Sequence, residues 1–329
     1  MTDLWIDNAP GERRAALVVN DEILEIHIQR DLHPVLGQTG TGRIERKSPA
    51  GSYITAEDGQ ELLIRGKIDK PDGAEIGYTI IRESISEPGR IKPAEASWVE
   101  LPVEVVDKEY LWNQRLRRLI DRAPAAESFS DAFDCAVAGS SQVGDVSIHF
   151  QRTKAGVVFD VDGIGDAFAI NRVAAIEIAR LLRLYQIGGM AIIDFVAVDS
   201  KSKRQEIADI FDSASQADGR AFERSAVNGF GMMQVVRSRP TPSVLDTLFG
   251  TRIAALSDET KALWLYRNVV ASTGFGPRIV TTSREVANLM QSPKWNALQL
   301  QCERLIGATM TVVADENING YGHVHVAQS

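Results

Sequence analysis

Asp160 and Asp162 stand one residue apart at the end of an apolar run, GVVFDVDGIGDAF (residues 156–168). In an extended strand, side chains two apart share a face, so the two carboxylates point the same way. Asp194 interrupts the next apolar run, AIIDF. A helix between two such strands implies a right-handed crossover that sets them side by side or nearly so. The three carboxylates then gather at one end of a sheet, where α/β proteins build their sites. Unpaired buried carboxylates are costly. Three together are tolerated chiefly around a hard cation, and oxygen-only ligands favour Mg²⁺ or Mn²⁺. Such an ion activates water and steadies the charge on a phosphodiester undergoing hydrolysis. The plainer reading is a strand ending in an Asp-Gly turn, with Asp194 paired to an arginine. Against it, the interior of a parallel strand has little use for an aspartate.

Two other chemistries fit the motif less well. VVFDVDGIG resembles the nucleophile strand of the haloacid dehalogenase-like phosphatases, in which the first Asp attacks phosphorus and the second serves as acid/base. Here Ile164 replaces the threonine, and no later Lys and acidic pair follow in the usual order. A calcium loop fails on spacing: the glycine comes too early and no Glu closes it. The five histidines, His27, His33, His149, His323 and His325, are not expected to cluster with the acids; His323 and His325 share a strand face and could bind a metal, structural use being the plainer role. No Ser/His/Asp or Cys/His set and no phosphate-cradling glycine loop stands out.

The elements that position the acids follow from periodicity. The helix NRVAAIEIARLLRLYQIGG places Val173, Ile176, Ala179, Leu182 and Ile187 roughly on one face, with Asn171 as N-cap and Gly188-Gly189 as its end. Strand MAIIDFVAV, helix KSKRQEIADIFDSA and strand GMMQVVRSR complete a β-α-β-α-β order, which usually builds a covered, mainly parallel sheet. Upstream, LWID, RRAALVVN and ILEIHIQR read as strands joined by turns, and residues 36–84 carry short strands cut by Gly, Asp-Gly and Pro-Asp-Gly turns, the pattern of a small barrel. SEPGRIKPAEA (residues 86–96) reads as a linker, followed by strand WVELPVEVV and a basic helical stretch, KEYLWNQRLRRLIDR. After PTPS come a helix over 258–272, strand RIVTTS, a helix near 283–305, and strands TMTVVAD and GHVHVAQ.

Bulk composition sets wide bounds. The chain has 329 residues, enough for two or three domains, and 44% are hydrophobic. Net charge is −8, which argues against a wholly basic nucleic-acid binder but allows a local basic groove. No run reaches the ~18 apolar residues of a membrane span, and the N-terminus lacks the layout of a secretory signal. Cys135 and Cys302 lie far apart, which fits a reducing cytoplasm. A cytoplasmic protein without zinc or a membrane partner is expected.

FDVDG, NRVAAIEIARLLRLYQIGGMAIIDF, FGMMQVVRSR and the closing ADENINGYGHVHV resemble, in that order, the catalytic core of the ribonuclease E/G family. The likeness is dense from 156 to 239 and loose elsewhere. It implies an α/β (mixed α+β) fold: residues 1–140 as a split RNase H-like region with an OB-type barrel inserted at about 36–84, 141–245 as a catalytic α/β nuclease domain, and 246–329 as a small C-terminal α/β domain. It implies Mg²⁺-dependent endonucleolytic cleavage of single-stranded RNA, with Mn²⁺ as an alternative ion. Asp160 and Asp194 match the family's metal-binding aspartates, and Asp162 falls where the family has an asparagine. Arg237 and Arg239 match basic strand positions that could contact phosphate. Lys201, Lys203 and Arg204 could line the same groove, and Tyr53 and Tyr78 could stack bases, core packing being the plainer role for both tyrosines.

The departures also carry expectations. The loop after Asp162 is short and acidic, so an RNA-binding protein that has lost catalysis on this scaffold is the alternative. About 70 residues between barrel and catalytic strand leave too little chain for the family's 5′-end sensor. TPSVLDTLFGTR occupies the place of the family's zinc-linking C-P-x-C, so any homo-oligomer uses another surface.

Overall fold

A computed structural model describes residues 2–20, 22–119 and 130–327; the stretch APAAES lies outside the described residues. The fold is mixed α/β. It opens with an antiparallel meander of β1 (Thr2–Ala9), β2 (Glu12–Val19) and β3 (Glu22–Arg30).

The barrel comes next. β4 (Thr39–Ser48), β5 (Gly51–Ala56), β6 (Glu61–Ile64) and β7 (Glu75–Arg82) are followed by the hairpin of β8 (Ile85–Glu87) and β9 (Arg90–Lys92), then by β10 (Ala94–Val99). The strand order is β10-β6-β5-β4-β7, and β10 closes the ring by pairing parallel to β6 and antiparallel to β7. The stretch expected as a linker over 86–96 is therefore a hairpin and the start of the closing strand. Ile44, Ile54, Leu62, Ile76 and Ile80 fill the interior. Two helices, α1 (Lys108–Leu119) and α2 (Ser130–Ala138), lead to the central unit.

The central sheet contains β11 (Ser140–Val143), β12 (Val146–Arg152), β13 (Val157–Gly163), β14 (Gly189–Asp194), β15 (Phe222–Arg224) and β16 (Met232–Arg237), in the order β11-β12-β13-β14-β16-β15. β13 and β14 are its one parallel pair; the other neighbours are antiparallel. The sheet is thus mixed, not mainly parallel. It is also covered on one face only. α3 (Ala167–Leu184) and α4 (Lys201–Ser215) pack through Ile178, Leu182, Ile207 and Phe211 onto Phe159, Val161, Ile193, Met233 and Val235. Alternate residues of the same strands, Asp160, Asp162, Asp194, Gln234 and Val236, are exposed on the other side.

α5 (Val244–Phe249) follows, fixed by a capping box between Ser243 and Asp246. The last unit holds α6 (Asp258–Ala271), β17 (Arg278–Thr282), α7 (Arg284–Met290), α8 (Asn296–Ile306), β18 (Met310–Ala314) and β19 (His323–Val326), with strand order β18-β17-β19. The helix expected near 283–305 is broken at Ser292-Pro293, because proline cannot continue the preceding turn. Among the described residues, no helix is long and apolar enough to cross a membrane.

Glu12 ties the first sheet to the last unit. It is fully buried, accepts from Arg14 Nε (2.7 Å) and Arg30 Nε (2.8 Å), and lies 3.5 Å from Arg267 on α6. Burial pushes its carboxyl up, but the charges of Arg14, Arg30 and Arg267 together outweigh that and bring it down to about 2. A carboxyl depressed from 4.5 to about 2 on folding contributes about 3 kcal/mol above pH 4.5, lost as pH falls towards 2. Urea denaturation between pH 2.5 and 7 should show this loss in the wild type. Glu12→Gln should be destabilised by ~3–5 kcal/mol at neutral pH, since it strands buried arginines, and should lack that component of the acid dependence.

Candidate active site

The parallel register places Asp160 directly beside Asp194. Antiparallel pairing then puts His149 of β12 on the far side of Asp160 and Met232 of β16 on the far side of Asp194. Neighbouring strands lie about 4.8 Å apart, so His149, Asp160, Asp194 and Met232 form one row across the open face. Both acids are exposed, and no arginine or lysine forms an ion pair with either among the described residues. The pairing of Asp194 to an arginine is therefore not what the structure holds.

Asp162 shares the face but lies one step beyond the row, and its carboxylate accepts from the Gly163 amide at 2.7 Å. The expected gathering of three carboxylates becomes two side by side and one at the strand end. Among the described residues, no three His, Cys, Asp or Glu side chains come together as a metal site. Two adjacent carboxylates still suit Mg²⁺, which keeps several waters and takes one or two carboxylates plus substrate phosphate oxygens.

The backbone behind the acids is held by Asn171. This residue is buried inside α3; its amide donates to Val196 O (2.7 Å) and accepts from Val196 N (3.0 Å). It clamps the chain two residues beyond Asp194. The expected N-cap role belongs instead to Asp166, which accepts from Ala169 N at 3.0 Å. On the other flank, Phe195 N donates to Gly231 O (3.1 Å). Gly231 has φ +91°, and a Cβ there would come within 2.1 Å of Phe195 O, so only glycine allows this approach.

α3 and α4 both start at the acid end of the sheet, so their N-termini turn partial positive charge towards it. Lys201 and Lys203 are exposed on the first turn of α4, with Lys203 Nζ 5.0 Å from the centre of the Phe168 ring. Arg204 turns back to donate to Val198 O (2.7 Å) and Asp199 O (2.6 Å), bracing the loop after Asp194. Phe230 is 85% exposed two residues before Met232. Beside Asp160 opens a cleft of about 350 Å³, lined in part by Val137, His149, Gln151, Val158 and Phe249.

Other expected contacts lie elsewhere. Arg237 is buried on the covered face, donates to Leu182 O and Ile187 O (2.7 Å each), and pairs with Asp218. Burial brings it down to about 10. It locks the end of α3 to the sheet and does not reach the acids. Arg239 sits at the opposite end of the strands, bonded to Glu87 (3.0 Å) and Asp246 (2.9 Å). Tyr53 faces outward from the barrel, stacked under Arg46 at 3.6 Å, whereas Tyr78 is buried inside it. His323 and His325 are exposed on β19, their rings 6.2 Å apart.

Residues 130–240, which include the whole central sheet except its connections to α5, match the Ribonuclease E/G family. This segment, about a third of the chain, is of the ribonuclease E/G family. It is 29% identical over 109 residues to the ribonuclease E/G-like protein, chloroplastic, of Arabidopsis thaliana, covering 30% of this chain and 11% of that protein. It is 33% identical over 78 residues to ribonuclease E of Escherichia coli and of Haemophilus influenzae, covering 24% of this chain in both and 7% and 8% of those proteins. The chain thus spans about a tenth of the length of the curated relatives it matches.

Sequence reading set His149 apart from the acids, gave Asn171 only a capping role and missed Phe230; the first is a correction, since His149 pairs in register with Asp160. The alternation VSIHFQ already puts His149 on the polar side of β12, but only the register of β12 against β13 shows that it meets Asp160. Asn171→Leu leaves the N–H and C=O of Val196 without their side-chain partners, at a cost of ~2–4 kcal/mol for two orphaned groups. Thermal unfolding should show this loss, and hydrogen exchange should quicken in residues 194–200.

Proposed function

We propose that the protein is an endoribonuclease that cleaves single-stranded RNA with a divalent ion, Mg²⁺ or Mn²⁺, held by Asp160 and Asp194. The observation that carries this reading is the side-by-side placement of these two carboxylates on an open sheet face, inside the segment that matches the ribonuclease family. A hard cation at that point supplies a Lewis acid and an activated water for phosphodiester hydrolysis. The remaining work falls to the chain. The uncovered face leaves room for an extended strand to lie across β12–β16. The N-termini of α3 and α4, with Lys201 and Lys203, favour a phosphate group at the acid end. Phe230 and the cleft beside Asp160 offer apolar surface to bases, which stack without regard to sequence. Asp162 assists from the strand end, where it steadies the turn into α3 through Gly163.

The test is cleavage of an end-labelled single-stranded RNA with and without Mg²⁺. Wild type should make internal cuts only with the ion. Asp160→Asn and Asp194→Asn should each fall by about 10²-fold or more, the scale of losing a charge-stabilising group in a reaction, while still binding the RNA. Binding without cutting by the wild type would make this a binding protein on a nuclease scaffold. Hydrolysis of a small phosphomonoester in place of RNA would transfer the acids to phosphatase chemistry.

A further inference from the structure

At the end of the central strands opposite the acids lies a second cavity, about 410 Å³, between the β8–β9 hairpin, the starts of β13 and β14, and α5. Six cations line it: Arg82, Arg90, Lys92, Arg152, Lys154 and Arg239. Two carboxylates, Glu87 and Asp246, face them there. Arg90 (2.7 Å), Lys92 (2.6 Å) and Arg239 (3.0 Å) all share Glu87. Arg152 (3.2 Å) and Arg239 (2.9 Å) share Asp246. Lys154 is exposed and has no carboxylate partner among the described residues. Arg82 pairs with Glu95 beside the cavity (2.9 Å), so six cations meet three carboxylates, a concentrated positive site in a chain of net charge −8. Burial, with the charge of Arg239 nearby, pulls both Arg82 and Arg152 below their ordinary values.

The floor of the cavity is backbone that only glycine permits. A Cβ on Gly156 would come 2.1 Å from Met190 O, and one on Gly189, at φ +82°, would meet the Arg239 side chain at 3.3 Å. Met190, on this rim, shares the open face with Asp194. Met190 and Asp194 are four positions apart on β14, and Val157 and Asp160 three apart on β13, or about 10–13 Å. A few nucleotides of extended strand bridge that distance.

We infer that this cavity is a phosphate-binding pocket that holds a backbone phosphate of the RNA while another reaches Asp160 and Asp194. The inference rests on the RNA reading given above. Its geometry favours Arg, which grips phosphate oxygens in pairs, in the wall, with mobile Lys at the rim.

The experiment is fluorescence anisotropy of a labelled single-stranded RNA with the full chain in EDTA, over a series of salt concentrations. Arg90→Ala and Lys154→Ala change exposed side chains and leave the core intact. Each should weaken binding several-fold and lower the slope of log K against log salt by ~0.7, the release expected per phosphate of a single strand. Lys294→Ala, the same charge change on the C-terminal unit, should leave both unchanged. Affinity and slope equal to wild type in both pocket variants would overturn the inference. So would a second pattern, in which inorganic phosphate raises the melting temperature of wild type but not of the variants while RNA binding is equal in all; the pocket would then serve a small phosphate compound. Weakened RNA binding in the variants supports the pocket even if Mg²⁺ produces no cleavage, a result that would sink the nuclease reading alone. Cleavage by wild type with unchanged binding in the variants sinks the pocket alone.

Discussion

The parallel pairing of β13 with β14 is the constraint from which the site follows. Parallel neighbours need a crossover, and α3 supplies it on one face, burying Ile178 and Leu182 against Phe159 and Ile193. With both helices spent on that side, the opposite face is left open apart from the edge beside Asp160, which α2 and α5 border. Asp160 and Asp194 are then exposed, and carboxylates can sit side by side there without the desolvation cost of a buried pair. The register also decides which residues flank them. Shifting β14 by one residue would turn Asp194 into the core and Ile193 to solvent. Asn171 and Gly231 protect against that slip by fixing the backbone just past Asp194 from two sides.

Much of this was legible in the sequence, and the misreadings have physical causes. The run MAIIDFVAV looks buried on both faces because Met190 and Ile192 are apolar, although both lie on the open face; composition could not separate a bare face lined with apolar residues from a covered one. Asn171 looks like a cap because it precedes the clearest part of the helical pattern. The helix in fact begins at Ala167, four residues earlier, with Asp166 as its cap. Arg237 was readable: Met233, Val235 and Arg237 alternate in phase, so an arginine in that series faces the covered side and must bond carbonyls there. The closing strand of the barrel was not readable, since the β6–β10 pairing joins residues about thirty positions apart and leaves no local signal.

Charge is distributed along the central strands in a way that the total of −8 conceals. At the starts of β13 and β14 cations exceed carboxylates, and at their ends Asp160, Asp162, Asp166 and Asp194 collect. A polyanion laid along the strands meets attraction at one end; at the other, Lys201, Lys203 and the N-termini of α3 and α4 oppose the repulsion of the carboxylates. On the proposed reading, a divalent cation held by Asp160 and Asp194 would reverse the field beside them. On that reading, binding at the cationic end and approach to the acids would be separable steps, and only the second would depend on the ion. That separation follows from distance: the cavity borders the starts of β13 and β14, about 10–13 Å from the acids at their ends, and the open-face side chains between, Val158 and Ile192, are uncharged. Placing a charge on either position would couple the two ends and blur the distinction between holding a strand and presenting its phosphate to the acids.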